Sequence, residues 1–415
     1  MADQTQQIAN LQRLLAITRQ MAATTDLTQL LQTIIEATVE VLACERATIF
    51  LYEKKTDELY SLVATGAESI RFPADQGIAG AAARERRVVH VPDAYADPRF
   101  NREIDKKTGF RTRQLLTFPL ENLEGELMGV LQALNKRSGA FALEDEEMAR
   151  ILSAQAGVAL HRYALLEEYA EKQRMARDLE LARKIQTQLL PDRSPSIEGY
   201  EIAGWNRSAD ETGGDCYDFI ELADKRHGIL LADATGHGIG AALVIAQCRS
   251  LTRAMLSLTE DLSRVALHVN RVLSHDLMDD RFVTAFVGLL DAQRHRLDYF
   301  SAGQGPLLFV SGDRVERRTA SGIPLAVVDD LECDSEHYEF EPGATAILLT
   351  DGFFETANVT GDLFGDERVI EIVRSNAQMP LDTLIQTLHD AVQRYSDGAK
   401  QADDLTAVLI RRKRA

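Results

Sequence analysis

The chain has 415 residues, 45% of them hydrophobic and 27% charged, with a formal net charge of −18. That length exceeds one ordinary core, so two domains and a connector are expected, with the composition of a soluble globular protein. The acidic balance argues against nucleic acid as a main partner and against tight docking on an anionic membrane.

The start, Met1 to Asn10, is polar and lacks the basic-then-apolar pattern of a signal peptide. No apolar run reaches about 18 residues, so no membrane span is expected. The four cysteines, Cys44, Cys216, Cys248 and Cys333, show no metal-ligand spacing. They read as reduced thiols of a cytoplasmic protein.

Over residues 5–22, Ile8, Leu11 and Leu15 give a helix with a short heptad-like seam, either paired or simply amphipathic. Residues 1–21 are set apart on that basis. Asp26 then caps a helix over Leu27–Leu42 whose Leu30, Leu31, Ile34, Ile35 and Val39 face a core. The spacing predicts strands at Ala47–Tyr52, Leu59–Thr65, Val88–Val91, Leu115–Leu120 and Glu126–Leu134. Short helices fit Gly77–Arg84 and Pro98–Asp105, and a long helix begins near Glu144. This is an α+β sensor layout over residues 22–161.

Gln76-Gly77-Ile78-Ala79-Gly80 forms a glycine turn before a helix, and Val91-Pro92-Asp93-Ala94 is followed by Asp97-Pro98-Arg99-Phe100. Asn135-Lys136, then Phe141, then Asp145-Glu146 complete a spaced set. On these residues the first half resembles a GAF domain, and the last set resembles the NKFDE motif of cyclic-nucleotide-binding members. The resemblance implies a small ligand, a cyclic nucleotide or another, at Asn135, Lys136, Phe141, Asp145 and Glu146. The alternative is that Lys136 and Asp145 form a salt bridge pinning the last strand to the last helix.

Residues 162–190 contain no glycine or proline and are rich in helix formers. Leu165, Tyr169, Ala176, Leu179 and Leu190 approach a heptad seam broken at Lys172 and Arg183. Residues 162–191 are therefore read as a helical linker, either a marginal coiled coil in a parallel homodimer or a solvated helix. Ile185, Leu189 and Leu190 are expected to dock on the second domain.

That domain, residues 192–415, is expected to hold strands at Tyr200–Asn206, Asp215–Leu222, His227–Asp233, Phe282–Asp291, Arg296–Ala302, Leu307–Val310, Thr345–Thr350 and Leu405–Arg411. Helices are expected at Gly240–Leu256, Leu262–Leu277, Glu367–Ser375 and Leu381–Tyr395. Asp233 closes an apolar strand and runs into Gly236, Gly238 and Gly240. Asp215 follows Gly213-Gly214, Asp351 precedes Gly352, and Asp403-Asp404 opens the last strand. Carboxylates at strand ends beside glycines suit magnesium or manganese, which take oxygen ligands. A metal pair could bind a phosphate and activate water. Asp218 either orders a metal water or caps a turn, and His237 in its glycine turn is assigned no proton-transfer role. No Cys-x5-Arg nucleophile motif is present.

The runs GGDCYDF, ADATGHGIGAAL, LLTDGFFE and DDLTAV, together with SAGQGP and GIPL, occur in this order over residues 195–412. They resemble the SpoIIE-type branch of the PPM metal-dependent serine/threonine phosphatases, and Glu180–Pro191 resembles the helix that precedes that domain. The resemblance implies an αββα sandwich and two divalent cations held by Asp215, Asp233, Asp351 and one of Asp403 and Asp404, with Asp403 preferred. It also implies a backbone carbonyl contribution from Ala234, where relatives outside this branch often have glycine. Gln304 stands where many relatives have histidine, and Ala326 replaces a frequent glycine. Asp233 and Asp351 would reach both metals or the water between them, and water would attack phosphorus in line. The implied substrate is a phosphorylated STAS-type regulator. The rival reading is a catalytically silent GAF dimer that holds a signalling partner.

Overall fold

The computed structural model describes residues 15–62, 70–223, 225–277, 281–331, 333–399 and 401–414. Ile8 and Leu11 of the N-terminal seam lie outside them, as do residues 63–65 of an expected strand. The chain divides into two compact units, 1–173 and 174–415.

The first unit opens with α1 (residues 15–23) and α2 (Leu27–Val41). Asp26 starts α2 as expected: its side chain accepts the Gln29 N–H at 2.9 Å, satisfying one orphan donor of the first turn. A six-stranded antiparallel sheet comes next: β1 (Cys44–Glu53), β2 (Glu58–Tyr60), β3 (Arg71–Pro73), β4 (Val89–Val91), β5 (Leu115–Glu121) and β6 (Leu127–Lys136). The strand order is β3-β2-β1-β6-β5-β4. Alternation along β1 divides its side chains between two cores. Ile49 and Leu51 pack with Leu30, Leu31 and Ile34 of α2 and with Leu152 and Ala156 further on. Phe50 packs on the other face with Ile78 and Ala82 of α3 (Gly77–Glu85). The helix expected at 98–105 forms later, as α4 (Arg102–Thr108), because Asn101 accepts the Glu103 N–H at 3.1 Å and caps it there. The three-residue β3 is too short to show a period in sequence.

One continuous helix, α5 (Leu143–Leu189), runs for 47 residues. Its first turns bury Ala149, Leu152, Ala156, Ala159 and Leu160 in the first unit. Past Tyr163 the apolar side chains Leu165, Leu166, Tyr169, Met175 and Leu181 are exposed. The pairs Glu168–Lys172 and Glu180–Lys184 support this stretch at i,i+4 spacing, each by a few tenths of a kcal/mol.

The second unit contains two five-stranded sheets. One, in the order β14-β11-β10-β9-β8, is built from β8 (Asp215–Glu221), β9 (His227–Ala234), β10 (Val283–Asp291), β11 (Arg296–Ala302) and β14 (Glu336–Glu339). The other, β13-β12-β15-β16-β7, uses β7 (Tyr200–Arg207), β12 (Leu307–Ser311), β13 (Arg314–Arg318), β15 (Thr345–Leu349) and β16 (Leu405–Arg412). The sheets share a core in which Ile229, Leu231, Phe286 and Tyr299 meet Phe309, Leu348, Val408 and Ile410. The alternate residues of β9, Leu230 and Ala232, pack outward on α6 (Ile239–Leu258) and α7 (Leu262–Asp276). On the far side α8 (Asp351–Glu355), α9 (Gly365–Ser375) and α10 (Leu381–Tyr395) cover β12, β15 and β16. Both faces of β9 are buried, which is why it reads as a continuous apolar run. The layers are helix, sheet, sheet, helix, as expected. The short strands β13 and β14 and the five-residue α8 carry too little pattern to read from sequence.

By length and composition α6 would pass as a membrane span, the one such helix among the described residues. Here it is a core helix. Ala241, Val244, Ile245, Cys248, Thr252 and Leu256 are buried against the sheet, and Arg249 and Arg253 on the same helix are ion-paired.

Ala326 has φ 67°, in the left-handed region. A Cβ there costs about 1–2 kcal/mol, a physical ground for the glycine that the resemblance leads one to expect at this position. Its N–H is held by Asn270 Oδ1 at 2.8 Å, and Asn270 Nδ2 donates to the Val328 and Asp329 carbonyls. Ala326→Gly should stabilise the protein by about 0.5–1 kcal/mol after the greater chain entropy of glycine is offset. An unchanged or lower urea midpoint would show that the strain is relieved elsewhere.

Candidate active site

Five of the acids singled out in sequence meet at one end of the sandwich, and the sheet register explains why. Asp215 opens β8 and pairs directly with Asp233 near the end of β9. Asp351 is the first residue of α8, not the last of a strand: β15 stops at Leu349, and Thr350 occupies the cap position. Asp403 and Asp404 precede β16, the neighbour of β15. Gly352 lies against this crossing, since a Cβ on it would collide with the Asp404 carbonyl. Gly214 is similarly required, because a Cβ there would come within 2.6 Å of the Ala234 carbonyl oxygen.

The acids do different work. Asp215 is buried, and its Oδ2 accepts from the hydroxyls of Thr350 at 2.7 Å and Thr406 at 2.6 Å. These hydroxyls come from the second sheet, so one carboxylate ties both layers. Asp404 is taken up by backbone donors. Its Oδ1 accepts the Ala209 N–H at 2.7 Å, and its Oδ2 accepts those of Gly214 at 2.6 Å and Asp215 at 3.3 Å. Asp403 is exposed and donates no side chain to that loop; its Oδ1 accepts the Asp404 N–H. The geometry thus separates the Asp403–Asp404 pair into an outward acid and a loop-holding acid.

Burial and mutual repulsion raise Asp215, Asp233, Asp351 and Asp404 above their ordinary range. Asp233 is pushed up to about 7, by burial first and then by Asp351 and Asp403. Asp215 is raised by burial and by Asp233, Asp351 by burial and by Asp403. Asp404 is raised by burial against the opposing pull of its three N–H donors. Among the described residues no three His, Cys, Asp or Glu side chains are arranged to hold a single ion. Magnesium, however, keeps most of its waters and takes only one or two carboxylates. Crowded like charges with raised proton affinity beside the Ala234 carbonyl fit a divalent cation of that kind.

Raised carboxyls set the sign of the pH dependence. With folded-state values above the unfolded 3.8, the metal-free fold binds more protons than the unfolded chain between about pH 4 and about 7. It therefore loses stability as pH rises through that window. Manganese at a hundredfold excess over its Kd should raise Tm by about 5–10 °C at pH 8 and by much less at pH 5. Equal shifts at both pH values would mean that the ion binds elsewhere.

Several neighbouring residues depart from expectation. Asp218 neither faces the acids nor merely caps a turn. It is 1% exposed and pairs with Arg249 at 3.1 Å and with Arg253 at 2.8 Å, clamping α6 to β8. His237 is exposed, with its Nδ1 3.5 Å from Asp210. Gln304 is buried and structural: it accepts from Thr284 and donates to the Leu349 carbonyl, both at 2.9 Å, joining the two sheets just before Asp351. Within the second unit, Ile185 does not dock, being 54% exposed. Leu189 is half-buried and Leu190 packs partly against both cores. The contact missed in sequence is Gln186, whose amide donates to the Gly213 carbonyl at 2.6 Å and accepts its N–H at 3.1 Å. A glutamine among many in a helix gives no sequence signal. Thr350 and Thr406 lie inside the acidic motifs and are marked only by adjacency to the acids.

In the first unit the NKFDE set is knitted into the fold. Asn135 is fully buried at φ 55°. Its side chain accepts from the Arg113 and Gln114 N–H groups and donates to Glu45 and the Arg111 carbonyl. Lys136 and Asp145 pair at 2.5 Å, pinning β6 to α5. Phe141 is buried in the core, and Glu146 lies 3.5 Å from His90.

Residues 26–160 match the GAF domain family model, and residues 223–413 match the model of Stage II sporulation protein E (SpoIIE). The chain is a GAF domain followed by a SpoIIE-type domain. The SpoIIE-type domain has a PP2C-type fold: the SiaA-PP2C domain of Pseudomonas aeruginosa superposes with TM-score 0.51 at 24% identity, covering 58% of this chain and 98% of that one. Phosphoserine phosphatase RsbP of Bacillus subtilis is 25% identical over 56% of this chain and 57% of its own length. On the GAF side, the cGMP-specific 3′,5′-cyclic phosphodiesterase of Drosophila pseudoobscura pseudoobscura is 35% identical over 34% of this chain and 13% of that protein. The chain thus spans about half or less of these curated relatives.

Proposed function

We propose that the SpoIIE-type domain is a metal-dependent protein serine/threonine phosphatase regulated by the GAF domain. The observation that carries this is the pairing of Asp215 with Asp233 beside Asp351 and Asp403, with Asp215, Asp233 and Asp351 crowded enough to raise their proton affinity. Asp215, Asp233, the Ala234 carbonyl, Asp351 and Asp403 would hold two magnesium or manganese ions. Such ions lower the pKa of water and neutralise charge on a phosphate. The chain's own part is placement. Thr350 and Thr406 fix the orientation of Asp215, Asp404 fixes the loop that leads to it, and Gly352 lets Asp351 approach the start of β16. Water displaces the serine or threonine oxygen from phosphorus, and that oxygen leaves with a proton, so no enzyme nucleophile is consumed. The free, buried cysteines support a cytoplasmic location.

RsbP, named a phosphoserine phosphatase, supports the substrate class, and a STAS-type regulator is the proposed protein. The test is manganese-dependent release of phosphate from p-nitrophenyl phosphate and from phosphoserine STAS proteins encoded near this gene. Manganese-independent or absent hydrolysis of both would leave the rival, a silent GAF-dimer module. The sensing half is proposed to bind a small ligand, with a cyclic nucleotide supported by the phosphodiesterase relative. Calorimetry of the full chain with millimolar cyclic AMP and cyclic GMP decides it, and no heat with either sinks that ligand class. The NKFDE residues would then act as the lock between β6 and α5 and not as ligand contacts.

The exposed apolar stretch of α5 supports a parallel homodimer, because an unpartnered helix of this kind is marginal in water. Gln186, held on Gly213 two residues before Asp215, supports transmission of a signal from that helix to the site.

A further inference from the structure

A cleft of about 520 Å³ opens beside Asp215 in the second unit. One wall is the end of α5, through Arg183, Gln186 and Thr187. The other is the segment after β7, through Arg207, Ser208, Asp210 and Glu211. Arg183, Gln186 and Thr187 stand at i, i+3 and i+4, so they share one helix face. The wall is fixed in place, since Gln186 holds both polar groups of the Gly213 backbone. A cleft of this size exceeds what a phosphate group fills and matches the smaller end of ligand-binding pockets. It has room for the chain that carries the phosphate.

We propose that the last turns of α5 form one wall of the substrate-binding cleft, and that Arg183 selects protein substrates bearing an acidic side chain next to the phosphorylated residue. The proposal rests on the phosphatase reading of the same site. A phosphorylated side chain reaching Asp215 must enter with its neighbouring residues, and the cleft is where those on one side lie. Arg183 is exposed on that wall, and its planar donors suit a carboxylate. Asp210 and Glu211 line the opposite wall, with Asp210 beside His237, so the positive charge that meets an acidic flank in this cleft has to come from Arg183. Arg207 is less available, because its guanidinium already contacts His389 at 2.9 Å. The helix that carries the signal is then also part of what the substrate touches, so a signal that moves α5 alters substrate affinity directly.

The test uses the full chain with manganese and two phosphothreonine peptides that differ only in carrying glutamates or lysines beside the phosphothreonine. The parent should favour the glutamate peptide in kcat/KM. Arg183→Glu should shift the ratio by about fivefold or more toward the lysine peptide, through KM, as an exposed charge pair turned repulsive requires. Arg183→Lys should retain the parent's preference. Because the readout is a ratio reversed by charge, general damage to the fold cannot mimic it. If Arg183→Glu leaves the ratio unchanged while the parent cleaves both peptides, the cleft assignment is overturned and the phosphatase reading stands. If the parent cleaves neither peptide nor p-nitrophenyl phosphate, both are overturned.

Discussion

Asp351→Asn protein, purified and assayed with manganese, is expected to lose about a thousandfold in phosphatase rate, equivalent to about 4 kcal/mol of transition-state stabilisation, while its metal-free fold becomes no less stable. The two halves of this expectation have one cause. Asp351 lies among Asp233 and Asp403, and its carboxyl is raised by burial and by the charges of Asp403 and Glu355. An amide of the same shape removes a repelled charge, so the metal-free Tm should hold or rise. It also removes a metal ligand charge, so the gain in Tm on adding manganese should shrink. Asp233→Asn should behave alike. Near-normal turnover in Asp351→Asn would remove that residue from the site, and a collapsed fold would mean that its role is structural.

The second large effect is expected at Asp218→Ala. This acid is 1% exposed and faces Arg249, itself only 14% exposed, and Arg253. Deleting it leaves buried positive charge without a partner, which costs about 3–5 kcal/mol. Arg253→Ala, at a side chain 47% exposed, should cost about 1 kcal/mol or less. Urea unfolding followed by circular dichroism measures both. Comparable, small losses in the two variants would mean that the clamp between α6 and β8 adds little. The glycine turn after Asp233 leads straight into α6, so activity should fall in Asp218→Ala even where the protein remains folded.

Much of this arrangement was legible because burial on both faces writes long apolar runs. β9, β10, β15 and β16 stand out as such runs, and acids at their ends break the pattern visibly. Helices with one apolar face, such as α7 and α10, were equally plain. What escaped was short or relational. β3, β13, β14 and α8 have too few residues to show a period. Asp218 lies in a motif with the acids yet serves α6, because its partners are 31 and 35 residues along the chain and sequence spacing does not reveal them. Asp404 adjoins Asp403, but only the backbone donors of Ala209, Gly214 and Asp215 show that it holds a loop. Ile185 has the apolar character of a docking residue; the contact falls to Gln186 because a backbone glycine offers a donor and an acceptor side by side.

Asp215 accepts hydrogen bonds from the hydroxyls of Thr350, just past β15, and Thr406 in β16, and Gln304 spans the same gap between Thr284 and Leu349. The layers are therefore riveted at the end where the acids gather. Sliding one layer over the other by even a fraction of a residue would break several buried hydrogen bonds at once, each leaving groups without water to replace their partners. A shear of the whole sandwich is therefore too costly to be the working motion. The segment between Arg207 and Gly214 lies outside these ties and is held by Asp404 at Ala209 and Gly214 and by Gln186 at Gly213. The proposed regulation would then act by ångström-sized displacement of that loop inside a stationary frame, and the frame should give the same amide-exchange protection in the active and inactive states.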